Sequence, residues 1–181
     1  SATDAGGDSL TYWWDWGDGN TGQGQTASYI WSNQGTYQVA GYVTDGDGGS
    51  DTELITVVVS NVAPVAAMSG PATGDEGSPL AFSGSATDTG NDVPTLAWDW
   101  GDGNTGTGGS PSHTWANDGV YTVSMTADDG DATDVETMTV TIANVAPAFA
   151  SSPTTNLTQG VAWSWLPVVT EPGADTLTFA T

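Results

Sequence analysis

The chain has 181 residues, 37% of them hydrophobic and nine of them tryptophan, so it can cover the entropy of ordering one or two domains. It carries 22 Asp and Glu and no Lys or Arg. That balance excludes nucleic acid and anionic lipid as partners, because both are recognised through cationic side chains. It also leaves His113 as the one side chain able to become a cation. There is no cysteine, and no apolar run approaches the ~20 residues of a membrane-spanning helix. The chain opens at Ser1 without a leader and reads as an excerpt of something longer.

An internal repeat organises the sequence. Ser1-Ala-Thr-Asp4 returns at Ser85-Ala-Thr-Asp88, and Trp14-Asp-Trp-Gly-Asp-Gly-Asn-Thr-Gly22 returns at Trp98 to Gly106. Trp31 and Tyr37 return as Trp115 and Tyr121. Asn61-Val-Ala-Pro64 returns at Asn144 one residue early, and the deletion falls where Gly48-Gly49-Ser50 faces only Ala132-Thr133, a loop. Three modules follow: 1–60 without its opening strands, 61–143 complete, and 144–181 the N-terminal part of a third, divergent one.

In chain order the segments read as strands. Tyr121 to Met125 and Thr137 to Ile142 alternate apolar with polar residues, and Glu53 to Val59 does so approximately, which sends one face inward. In Leu96-Ala-Trp98-Asp-Trp100 the alternation points Leu96, Trp98 and Trp100 to the core, and truncating either Trp should cost about 3–5 kcal/mol. Gly101-Asp102-Gly103-Asn104 then makes a turn that uses left-handed glycine conformations. Short strands at close spacing, with no helical period, predict an all-β fold of tandem β-sandwiches.

The run Leu96 to Asn104 with His113-Thr-Trp115, Gly119-Val-Tyr121-Thr-Val and Asp128-Asp-Gly-Asp131 resembles the PKD (polycystic kidney disease) domain signature, and the first unit repeats it. The resemblance covers roughly 1–143 and implies an immunoglobulin-like sandwich. From Pro147 through Glu171-Pro-Gly-Ala-Asp175 to Phe179 the tail resembles the start of cadherin-like or bacterial Ig-like repeats.

Acid pairs four apart stand in each unit, Asp4/Asp8, Asp88/Asp92 and Glu171/Asp175, and each of the first two units has a second cluster, Asp45/Asp47/Asp51 and Asp128/Asp129/Asp131/Asp134. The topology implied by the resemblance brings Asp88, Asp92, Asp129 and Asp131 to one pole, with Asn61, Asp18 and Asn20 from the preceding module. Asp102, Asn104, Asn144, Glu171 and Asp175 would form the next such junction. Flexible carboxylates and amides suit Ca²⁺, which takes six to eight oxygens. The plainer alternative is that Asp and Gly are turn formers exposed to water. Trp13 replaces Ala97 on the polar face and is a candidate surface for stacking or protein contact.

One histidine, with no cysteine and no lysine, leaves little for nucleophilic or acid–base catalysis, so the chain is expected not to be an enzyme. The expected function is a structural or adhesive extracellular array, a stalk, surface layer or fibre segment. Its partners would be neighbouring modules, copies of itself, a polysaccharide or a cell-surface protein. Calcium would stiffen its junctions, and strand complementation would join copies head to tail. The alternative is an accessory module of a secreted polysaccharide- or protein-degrading enzyme that holds insoluble substrate.

Overall fold

The computed structural model describes residues 2–3, 6–153, 156, 158–162 and 164–178. All regular elements among them are β-strands, as the alternation predicts. The chain divides into two compact units, residues 1–63 with 88–93, and residues 64–87 with 94–181.

The first unit is a four-stranded antiparallel sheet in the order β2-β1-β3-β4, from β1 (Thr11–Asp15), β2 (Thr21–Gln23), β3 (Gly35–Thr44) and β4 (Ser50–Val59). β1 pairs Trp14 with Gly22 on one side and with Gly41 on the other. Among the described residues of this unit no second sheet covers the face that carries Trp14, Ile55 and Val57. Ile55 is 48% exposed there, and Trp14 and Val57 are half-buried.

The second unit supplies both layers of an immunoglobulin-like sandwich. One layer pairs β5 (Val65–Ser69) with β8 (Ser83–Thr87), and a short ladder joins β7 (Leu80–Ala81) to β11 (Ser112–His113). The other is a five-stranded sheet in the order β10-β9-β12-β13-β6. It is built from β6 (Thr73–Asp75), β9 (Thr95–Asp99), β10 (Thr105–Thr107), β12 (Gly119–Asp128) and β13 (Thr133–Ala143). β6 joins parallel to β13, and the other pairs are antiparallel. Between the layers lie Phe82, Trp98, Trp100, Trp115, Val123, Met125, Val140 and Ile142, all buried. Leu96 packs against this core while Ala97 and Asp99 face solvent, so the alternation read from the sequence holds.

Each buried indole needs a partner for its N–H. Trp98 Nε1 donates to Gly108 O at 2.9 Å and Trp115 Nε1 to Trp100 O at 3.2 Å. Tyr121 Oη donates to Asn117 O at 3.0 Å, a tyrosine bonding back to the backbone just upstream, as at the corner of immunoglobulin sandwiches. The first unit repeats all three bonds, from Trp14 to Gly24 O, Trp31 to Trp16 O and Tyr37 to Asn33 O. The one-residue difference between repeats sits in the hairpin loops, residues 45–49 in one and 129–132 in the other, flanked by paired Thr44–Ser50 and Asp128–Thr133.

After β13 the chain forms a two-residue ladder between β14 (Ala148–Phe149) and β15 (Val169–Thr170).

Candidate functional site

The acids of the turns do different work from one another. The β12–β13 hairpin is held by its own carboxylates: Asp129 Oδ1 accepts the Asp131 and Ala132 N–H groups at 2.8 and 2.7 Å. In the first unit Asp45 Oδ1 accepts the N–H groups of Asp47 and Gly49, both at 2.9 Å. Asp8 is exposed, and Asp4 lies outside the described residues.

The turn after β9 has another use. Asp99 Oδ1 accepts the Gly101 N–H at 2.8 Å, with Gly101 at φ +76° where a Cβ would meet the Thr122 carbonyl. Asp102 accepts both Asn104 nitrogens, and its Oδ2 lies 2.8 Å from His113 Nε2. The imidazole stacks on Trp100 with centroids 4.9 Å apart. In the first unit Tyr29 takes the place of His113: it stacks on Trp16 at 5.0 Å, donates to Asp18 Oδ2 at 2.6 Å and accepts from Asn20 at 2.7 Å. Burial raises the Asp102 pKa, but the Asn104 N–H and His113 outweigh it, and the net shift is downward. Asp18 is lowered chiefly by the Tyr29 hydroxyl. Asp18, Asn20, Asp102 and Asn104 therefore serve to fasten a turn to the aromatic stack.

A tighter cluster stands at the end of β13. Glu76, directly after β6, is fully buried; its Oε2 accepts the Asp118 N–H at 3.0 Å and its Oε1 the Val145 N–H at 2.7 Å. Ligand atoms of Glu76, Glu171 and Asp175 lie within 4.8 Å of one another, the one such three-acid group among the described residues. The Asn144 amide stands between Glu76 Oε1 and Asp175 Oδ2, at 3.0 and 2.9 Å, and with its nitrogen turned to them it donates to both. Turned the other way it would add an oxygen to the acids. Gly173 makes the approach possible, since a Cβ there would lie 2.6 Å from the Glu76 carboxylate. The Ala174 N–H donates to Ala116 O at 2.7 Å and pins this loop.

Asn144, Glu171 and Asp175 were legible as a set, and Glu76 was not. It reads as one more turn acid in Asp75-Glu-Gly77, and its distance in sequence from Asn144 hides the pairing. Their first-unit equivalents Asn61, Asp88 and Asp92 line a cavity of about 100 Å³ with Trp31, Gln34 and Val62. Asp88 Oδ1 accepts the Gly90 N–H at 2.9 Å, while Oδ2 is buried and has no hydrogen-bond partner among the described residues. The Asn91 N–H donates to Ser32 O at 3.1 Å, the counterpart of the Ala174–Ala116 bond. Trp13 is 37% exposed and lies against Tyr42, with ring centroids 4.6 Å apart.

The PKD domain sequence profile matches residues 1–59 and again 61–143. The chain belongs to the PKD domain family. Its two PKD modules carry the duplicated Trp-Asp-Trp-Gly-Asp-Gly-Asn turns described above. A microbial collagenase of Vibrio alginolyticus is 36% identical over 87 residues, 47% of this chain and 11% of that protein. The PKD domain of an M14-like peptidase from Thermoplasmatales archaeon SCGC AB-540-F20 is 29% identical, covering 46% of this chain and 98% of its own, at a TM-score of 0.42. The PKD1 domain of Vibrio anguillarum Epp is 30% identical over 46% of this chain and 96% of its own, at 0.39.

Proposed function

We propose that the chain is an extracellular structural and adhesive segment, a tandem PKD array whose ends of modules are stiffened by Ca²⁺. The observation that carries this reading is the buried Glu76 carboxylate set against Glu171 and Asp175 in a chain with no Lys or Arg. A buried charge needs a counter-charge, and here no side chain except a protonated His113 could give one. His113 is already engaged with Asp102. A hard cation held by Glu76, Glu171, Asp175 and the Asn144 oxygen would supply the charge, with backbone carbonyls or water completing six to eight ligands. Extracellular calcium modules work at dissociation constants of about 10⁻⁴–10⁻³ M, which suits a site with two exposed or half-buried acids. Asn61, Asp88 and Asp92 are the matching candidates in the first unit.

Thermal unfolding in Ca²⁺ and in chelator, at matched ionic strength, tests this. Saturation at about 100 times the dissociation constant adds about 2.7 kcal/mol, a rise of several degrees or more for modules of this size. Glu171→Ala with Asp175→Ala should abolish the rise of the second module. An equal response to NaCl would mean that these acids are solvated turns.

A second reading has its own support: the relatives include a collagenase and an M14-like peptidase. As an accessory module the array would hold insoluble protein or polysaccharide, with the exposed Trp13, backed by the half-buried Tyr42, as the aromatic contact. Retention on insoluble collagen, cellulose or chitin that is lost in Trp13→Ala would favour it.

A further inference from the structure

The two modules differ on the solvent side of their main sheets. Side chains alternate along each strand, so Trp13 and Asp15 of β1 point away from Trp14, to the face that carries Ala40 and Tyr42 of β3 and Leu54 and Val58 of β4. In the second module this face is polar and small: Ala97, Thr137 and Thr141 are exposed, with Ser124 and Thr126 beside them. In the first unit Trp13 stands for Ala97, Tyr42 for Thr126 and Ala40 for Ser124. Leu54 and Val58 stand for Thr137 and Thr141. Each exchange makes the position larger or more apolar.

The exchanged residues are contiguous. Trp13 is paired with Tyr42 across the ladder, and their rings lie 4.6 Å apart. Ala40, between Asp15 and Leu54, is 6% exposed, whereas Leu54 and Val58 are 65% and 71% exposed. The second module has two exposed valines on this face, Val120 and Val135, but Thr122, Ser124, Thr137 and Thr139 separate them. A contiguous exposed apolar group is the mark of an interaction site, and valines scattered singly are not.

The residues of the face select its partner. Asp15 lies two residues from Trp13 on the same side of β1, about 7 Å along the strand. Its Oδ1 accepts the Gly17 N–H at 2.9 Å, which leaves Oδ2 for a partner. A guanidinium or ammonium laid on the Trp13 indole would meet both the ring face and that carboxylate. The chain has no Lys or Arg, so none of its own competes for the place. Leu54 and Val58 call for aliphatic groups, which a polypeptide supplies and a sugar ring does not. The rings of Trp13 and Tyr42 are tilted by 43°, so they form no flat platform for a glycan. A second copy would bring another 22 carboxylates and no Lys or Arg. We propose that the outer face of the first module docks a basic polypeptide, with Lys or Arg on Trp13 and Asp15 and an aliphatic side chain on Ala40 and Leu54. This names the partner of the adhesive reading and rests on that reading, but not on calcium.

Isothermal titration of the full chain in chelator, at about 0.15 M salt, tests the proposal with a short peptide of alternating arginine and valine as probe. The peptide should bind at one site per chain. Trp13→Ala should weaken it about tenfold or more, and Asp15→Asn, whose amide oxygen keeps the Gly17 bond, about threefold or more. Trp13→Ala leaves the net charge unchanged, so its loss reads the face and not the general attraction of a cation to an acidic chain. Alanine already stands at position 97 of the equivalent strand, so the variant should fold. Ala97→Trp with Thr126→Tyr should build a second site, because Asp99 already holds the place of Asp15. Equal affinity of wild type and folded Trp13→Ala would reduce binding to net charge and overturn the proposal. No binding at millimolar peptide would overturn it too, as would a folded double variant without the second site. Binding of cellohexaose that Trp13→Ala abolishes, with none of the peptide, would give the face to a glycan. Self-association in sedimentation that Trp13→Ala abolishes, again with no peptide binding, would give it to a second copy; either result overturns the proposal. A missing calcium-induced rise in melting temperature with peptide binding intact would sink the stiffened array and leave the docking face standing.

Discussion

The two PKD modules share three tryptophans and a tyrosine at equivalent positions, and differ in what covers them. Trp14, Trp16, Trp31 and Tyr37 make the same stacking and hydrogen-bond contacts as Trp98, Trp100, Trp115 and Tyr121. Yet Trp98 and Trp115 are 2% and 0% exposed, while Trp14 and Trp31 are only half-buried. Local geometry is therefore set within one sheet, by the strand alternation and the glycine turns. Burial is set by the second layer, which carries Ala66, Phe82 and Ala86 in the second module.

The largest expected effect separates the modules directly. Trp115→Ala should destabilise the second module by about 3–5 kcal/mol, with Trp31→Ala costing the first roughly half that or less, because less area is withdrawn from water. Chemical denaturation followed by tryptophan emission would check this; equal losses would contradict the difference in cover. Next is Glu76→Gln. In chelator it should raise the melting temperature of the second module by relieving repulsion from Glu171 and Asp175, and in Ca²⁺ it should forfeit most of the calcium-induced rise. A lower melting temperature in both media would mark Glu76 as a backbone clamp only, serving the Asp118 and Val145 N–H groups. Gly173→Ala should weaken the same calcium response, since the added Cβ displaces the Glu76 carboxylate.

The smallest effect is in acid. Asp102 titrates below its ordinary value in the folded state, so its contribution is fully present above the unfolded pKa of about 3.9 and is lost as pH falls through the lower folded value. His113→Ala removes one cause of the lowering and should flatten the acid limb of stability against pH. Tyr29→Phe should do the same for Asp18 in the first unit. Urea midpoints across the acid range would measure both.

Much of this was readable in the chain. The repeat fixes the modules, and the alternation of Leu96, Trp98 and Trp100 fixes which face is core, because both signals are local in sequence. The cluster was harder. Glu171 and Asp175 stand out by spacing, whereas Glu76 is brought to them only by the parallel pairing of β6 with the end of β13. Asp102 and Asn104 share the composition of a metal loop, and only the stacking of His113 on Trp100 shows that they fasten a turn. The exchange of His113 for Tyr29 carried that signal, since both can bond an acid while presenting a flat ring to tryptophan.

The central claim is that equivalent strands differ in cover and not in kind, and residue-resolved hydrogen exchange tests it most directly. In dilute chain, amides of β13 from Thr137 to Ile142 should exchange far more slowly than those of β4 from Leu54 to Val59, which pairs with β3 in the same way. Equal protection of the two strands in dilute chain would contradict the account.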